Sequence, residues 1–179
     1  MKVLVTAFKP FNNFDNNYSM EVLNYIEDVD KVVIDVLYDN SYKEITSNHN
    51  LEEYDLVIAM GEARMRKELT LEINAKNISS CSLADNSGCY KKDEYIVSDG
   101  FEVIETKVNL EGVEELVLFS YDAGKFVCNN TYYHLLYNFP DKSIFIHIPE
   151  CYNRIEKYQK YAKSINNIIR KILNNKENN

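Results

Sequence analysis

Hydrophobic positions in this chain fall into short β-branched runs that alternate with segments of helical spacing. Lys2–Phe8, Lys31–Leu37, Leu56–Met60 and Lys142–Ile148 read as buried strands, each closed by a polar or turn-forming stretch. Glu115–Ser120 reads as another. Between Glu68 and Ile78 the pattern changes to strict alternation. Leu69, Leu71, Ile73 and Ala75 mark one face, and Thr70, Glu72, Asn74 and Lys76 the other, as in a half-buried strand. Helical spacing predicts a helix over Met20–Ile26 capped by Ser19, a weak one over Ser41–Asn50 and a third over Lys125–Tyr137. The longest is Arg154–Leu173, with Ile155, Tyr158, Ala162, Ile165, Ile169 and Leu173 at spacings of three and four. Residues 79–112 read as irregular, and 174–179 as a polar, frayed tail. Strands alternating with helices specify an α/β fold, a layered α/β/α domain over residues 1–179 whose twisted sheet the 68–78 strand makes mixed.

Composition narrows the function without naming it. The chain has 179 residues, about one domain's worth. A net charge of −8 argues against a nucleic-acid partner, because phosphate binding needs clustered Lys and Arg. No stretch of about 18 apolar residues exists to span a membrane, and Met1–Phe8 lacks the parts of a signal peptide, so a cytoplasmic location is expected. The four cysteines form no C-x-x-C pair and lie far from the three histidines, which argues against a metal site. A Cys81–Cys89 disulfide stays open. Five Gly and 22 Asn are an unusual balance, since Asn is the other residue that tolerates a left-handed backbone.

Ligands of open α/β sheets collect at the carboxyl ends of the strands. Ser120–Asn129 is the most informative such place. A strand, Gly124 and then a helix put Cys128 in a first helical turn, where free N–H groups and the helix dipole favour a thiolate. An inert buried cysteine is the competing reading. His147 lies between Ile146 and Ile148, so alternation turns it to the opposite face, toward a cleft or simply into the core. Glu72 sits on the polar face of its strand, as a solvated charge or a functional carboxylate. His49 and His134 are weaker candidates. A thiol, an imidazole and a carboxylate become a catalytic set only if they meet.

At these residues the chain resembles the pyroglutamyl peptidase I (pyrrolidone-carboxylate peptidase) family of cysteine peptidases. Val3–Phe11 is similar to V-L-V-T-G-F-x-P-F, with Asn17 and Ser19 following where the family has N-P-S. Gly61 and Arg66 match G-x-x-x-x-R, Leu69–Glu72 with Asn77 the strand of the catalytic Glu, and Asp85, Asn86 and Gly88 a turn. Ser120, Ala123, Gly124, Phe126, Cys128 and Asn129 match the nucleophile motif, and Phe145–Pro149 the F-I-H-V-P around the histidine. The resemblance implies a hydrolase that removes an N-terminal 5-oxoprolyl residue from a blocked peptide through a thioester. Cys128 would be the nucleophile, His147 the base and Glu72 its orienting carboxylate. Phe8, Phe11, Phe126 and Val127 would hold the lactam ring, with no metal or cofactor required.

Departures accompany the match. Asn12 and Asn13 replace a Gly-Gly pair, Ala7 a glycine, and Ser82 an arginine near the oxyanion site, for which Ser82, Arg64 or Arg66 would have to substitute. The polar segment Phe101–Lys107 and the shorter chain argue against the family's tetramer, and leave another homo-oligomer open. Two alternatives therefore accompany the peptidase: a related cysteine amidase acting on another N-acyl group, and an inactive binding homologue.

Overall fold

The protein is described by a computed structural model covering residues 1–178. Its elements in chain order are β1 (Val3–Phe8), α1 (Tyr18–Leu23), β2 (Asp30–Ile34), α2 (Asn40–Asn48), β3 (Leu56–Glu62), β4 (Thr70–Glu72), β5 (Asn74–Lys76) and β6 (Ser79–Cys81). There follow β7 (Lys91–Glu94), β8 (Val103–Glu105), β9 (Leu118–Ser120), α3 (Val127–Asn138), β10 (Ser143–Ile148) and α4 (Ile155–Glu177). The main sheet has the order β2-β1-β3-β10-β4-β9. Its first four strands are parallel, and β4 runs antiparallel to β10, with β9 parallel to β4. The expected mixed α/β architecture is therefore present.

Helices cover both faces of the sheet. Val3, Val5, Ile58, Ile144, Ile146 and Ile148 pack toward α1 and α4, whose Tyr158, Ala162, Ile165 and Ile169 are buried there. Leu4, Phe8, Val57, Ala59 and Phe145 pack toward α2 and α3. Apolar side chains emerge on both faces, which explains why β1, β3 and β10 read as continuous runs rather than alternating ones. No helix among the described residues is long and apolar enough to cross a membrane.

The structure corrects several sequence expectations. The expected 68–78 strand is two: β4 joins the main sheet, while β5 pairs with β8 in a separate ribbon. Nor is it half-buried. Thr70, Glu72 and Asn74, assigned to a wet face, are buried along with their apolar neighbours, and Tyr132 of α3 donates to the Glu72 carbonyl at 2.8 Å. Leu118 is 55% exposed, so β9 is an edge strand rather than a buried one. Asn17, not Ser19, caps α1, its Oδ1 accepting the Ser19 N–H at 3.0 Å. Helix α4 runs on to Glu177, into the segment read as a tail, and Asn179 lies outside the described residues. All four cysteines are free.

Candidate functional site

Three strand ends build the site. In the register of β10 against β4, Phe145 lies opposite Glu72 and His147 opposite Thr70. Alternation puts Phe145, His147 and Glu72 on one face, with Glu72 diagonal to His147 and within reach of a long side chain. The imidazole Nδ1 donates to Glu72 Oε1 at 2.8 Å. On the other flank of β10, His147 is in register with Gly61 of β3. Neighbouring strands run only about 4.8 Å apart, so whatever sits over Gly61 sits beside the imidazole.

Cys128 sits over Gly61. A Cβ added at position 61 would lie 2.6 Å from Cys128 Sγ and 2.9 Å from Phe145 Cζ. The missing side chain is thus the space that the thiol occupies. Cys128 is the second residue of α3, preceded by Phe126 at the N-cap, which offers no side-chain acceptor. The N–H groups of that first turn therefore keep no capping partner. Two asparagines pin this end of the helix. Asn129 donates to the carbonyls of Lys76 and Ile78 at 2.8 and 3.0 Å and accepts from the Lys76 N–H at 2.9 Å. Asn130 exchanges two 3.0 Å bonds with Asp39. The entering loop turns at Gly124, whose φ of +80° suits glycine.

A cavity of about 140 Å³ opens from the thiol and imidazole. It is lined by Phe8, Phe11, Phe126 and Val127, the four positions the resemblance singles out, and also by Asn17, Val36, Glu62 and Ala123. This is far below the ~300–1,000 Å³ of sites for drug-sized ligands, and suits one small ring. Phe11 and Phe126 face each other at 5.7 Å between ring centroids, and Tyr38 meets Phe126 edge-on at 5.5 Å. Val36 and Glu62 lie at or just beyond strand carboxyl ends, a position that could have marked them from sequence. Among the described residues no three His, Cys, Asp or Glu side chains cluster as metal ligands.

Burial and neighbouring charges bias the protonation of the site. Burial and the nearby carboxylates of Glu62 and Glu72 push the Cys128 thiol up to about 12. Desolvation and these two negative charges oppose the pull of the helix terminus toward a thiolate. Burial also pushes His147 below its ordinary value, against the pull of Glu72. Burial would raise Glu72, but the His147 hydrogen bond and charge, with Ser120 and Arg66, hold it below the usual carboxylate range. These directions favour a neutral thiol beside a neutral imidazole and an ionised carboxylate.

The departures are placed too. Asn12 and Asn13 adopt left-handed φ values of 52° and 60°, a conformation asparagine tolerates. They line a neighbouring polar groove with Ser82 and Tyr90, not the cavity of Cys128. Arg64 is engaged with Glu62 at 2.8 Å, and Arg66 with Glu72 at 2.7 Å. None of Ser82, Arg64 and Arg66 lines the cavity, whereas Val127 and Cys128 of the first turn of α3 do.

Residues 1–174 match the family described as pyroglutamyl peptidase. The chain is 32% identical to a pyrrolidone-carboxylate peptidase of Brachyspira hyodysenteriae, over 83% of each chain. It is 32% identical to one of Thermosipho melanesiensis, over 87% of this chain and 86% of that one. Among solved structures, the pyrrolidone carboxyl peptidase of Fervidobacterium islandicum superposes with a TM-score of 0.81 at 24% identity, covering 94% of this chain and 96% of that one. That of Thermus thermophilus gives 0.82 at 24% identity, covering 92% and 96%, and these two likenesses speak for the fold. With the match extending through Gly61, Glu72, Cys128 and His147, this chain belongs to the pyroglutamyl peptidase family.

Proposed function

We propose that this protein is a cysteine exopeptidase that releases an N-terminal 5-oxoprolyl residue from blocked peptides, with Cys128, His147 and Glu72 as its triad. The observation that carries the reading is a thiol at the first turn of α3, beside an imidazole held by a buried carboxylate, opening on a small aromatic cavity. Because Nδ1–H is committed to Glu72, the Nε2 lone pair is free to accept a proton. Cys128 Sγ bonds to the scissile carbonyl carbon as its proton passes to His147 Nε2. The carbonyl oxygen becomes an oxyanion facing the N–H groups of α3. When it collapses, the C–N bond breaks and His147 hands the proton to the leaving amine. Water, deprotonated by His147, then cleaves the thioester, freeing 5-oxoproline and restoring the thiol. The lactam presents apolar ring faces and two polar groups, which matches a cavity of Phe8, Phe11, Phe126 and Val127 with few polar side chains.

The test is fluorophore release from a pyroglutamyl amide, followed across pH. We expect kcat/KM to rise as His147 loses its proton, with a midpoint below the ordinary 6.5 because the folded imidazole is shifted down. The plateau should extend past the ordinary thiol value of 9.0, since the thiol ionises only near 12. Turnover no greater than that of a C128A chain would refute the reading. A second expectation concerns Gly61. Gly61→Ala forces Sγ or the Phe145 ring aside. A displacement of this kind should lower kcat by about 10²-fold, with about 1–3 kcal/mol of overpacking visible in denaturant melts. Unchanged kcat would mean that the thiol does not react from this position.

A further inference from the structure

Arg66 lies in the connection between β3 and β4 and makes three short contacts. Its Nη1 donates to Thr70 Oγ1 at 2.6 Å and its Nη2 to the Asp122 carbonyl at 2.7 Å. Nη2 also lies 2.7 Å from Glu72 Oε1. The same carboxylate oxygen accepts the His147 Nδ1–H at 2.8 Å, while Oε2 is equally buried and Ser120 of β9 stands in register with Glu72. Guanidinium and imidazole therefore share one oxygen. We infer that Arg66 is a positioning residue that divides the Glu72 charge with His147, so that the imidazole is held in place without being driven to its charged form, and that it ties this balance to the loop leading to Cys128.

The inference rests on the triad reading above and follows from the charges around the imidazole. Glu72 bonds to His147 from β4, while Asp122, in the loop after β9, is exposed and paired with Lys76 at 3.0 Å. Glu62 of β3 and the Cys128 thiol of α3 line the same cavity. Arg64 is committed to Glu62 and Lys76 to Asp122, so Arg66 is the cation in contact with the Glu72 carboxylate. A buried carboxylate bonded to an imidazole with no cation nearby favours imidazolium, which cannot take the thiol proton. Arg66 opposes that tendency, acting to lower both His147 and Cys128, whereas Glu72 and Asp122 raise His147. Through the Asp122 carbonyl the same guanidinium also holds the turn at Gly124, two residues before the N-cap of α3. A merely structural clamp would hold the loop and leave the titration of His147 unmoved.

The experiment follows the His147 ring by NMR across pH in the full-length wild type, Arg66→Gln, Arg66→Lys and Thr70→Val, with His147→Gln for assignment. Arg66→Gln should raise the His147 midpoint by about one pH unit, the low end for loss of an adjacent charge. The acid limb of kcat/KM should move with it. Arg66→Lys, which keeps the charge, should restore most of the midpoint. Thr70→Val removes one anchor at nearly constant shape and should produce a smaller rise, which serves as the test if Arg66→Gln does not fold. A midpoint unchanged in Arg66→Gln, or in Thr70→Val where only that variant folds, overturns the inference even if activity falls. The ring titration needs no turnover. Failure of the pyroglutamyl reading would appear separately, as an inactive wild type.

Discussion

Cys128→Ala, His147→Ala and the double variant should each lower kcat on a pyroglutamyl amide by about 10⁶-fold, to one common floor. The shared floor follows from the resting state. Burial and two carboxylates push the Cys128 thiol upward, so in the proposed mechanism it reacts as His147 removes its proton. Without the imidazole the sulfur stays a weak nucleophile, and without the sulfur the imidazole has nothing to activate. Each group is useless alone, so their losses do not add. The fold should survive all three changes. Alanine at 128 only enlarges the space above Gly61, and removing His147 leaves Glu72 paired with Arg66. Stopped-assay rates on proteins of matched thermal melting would decide the matter. A His147→Ala chain keeping more than roughly a hundredth of wild-type kcat would exclude the imidazole as the base, since general-base help is worth about 10²–10⁴.

Glu72→Gln should lower kcat by about 10⁴-fold, and the cause is charge rather than shape. Arg66 lies 2.7 Å from the Oε1 position and favours an oxygen there, so the glutamine carbonyl takes that place and still accepts the Nδ1–H. The ring keeps its tautomer. What is lost is the negative charge that stabilises imidazolium as the proton moves, and the Arg66 cation is left unopposed. The sign of the pH effect follows. Removing a group that raises His147, and keeping one that lowers it, moves the acid limb of kcat/KM to lower pH. Arg66→Gln moves the same limb upward, so the two substitutions form an opposed pair. A limb that stays put while kcat falls would leave Glu72 a steric role only.

Much of this site can be read along the chain, and the reasons are local. The strands β1, β3 and β10 announce themselves because β-branched runs buried on both faces need no partner to be recognised. A strand, a glycine turn and then an apolar-faced segment mark a helix start near Cys128. The lining aromatics Phe8, Phe11 and Phe126 came from the resemblance, and the cavity gathers all of them. The alternation around Glu72 predicts a wet face that the structure does not have, for an equally physical reason. Polar residues at every second position look wet unless something covers them, and here Tyr132, His147 and Arg66 do.

By itself, then, the sequence determined the α/β class, the strands and helices of strong period, and the residue types able to do thiol chemistry. Tertiary structure alone decided that Glu72 and His147, 75 positions apart, share a face through the antiparallel register of β4 and β10. It also decided that Gly61 leaves room for the thiol, that Arg66 sits on the Glu72 carboxylate, and that burial and nearby carboxylates push the thiol upward. Local pattern governs which side chains a strand or helix presents. Register between distant strands and burial among charges depend on the whole packed chain, and those two set distance and protonation in the site.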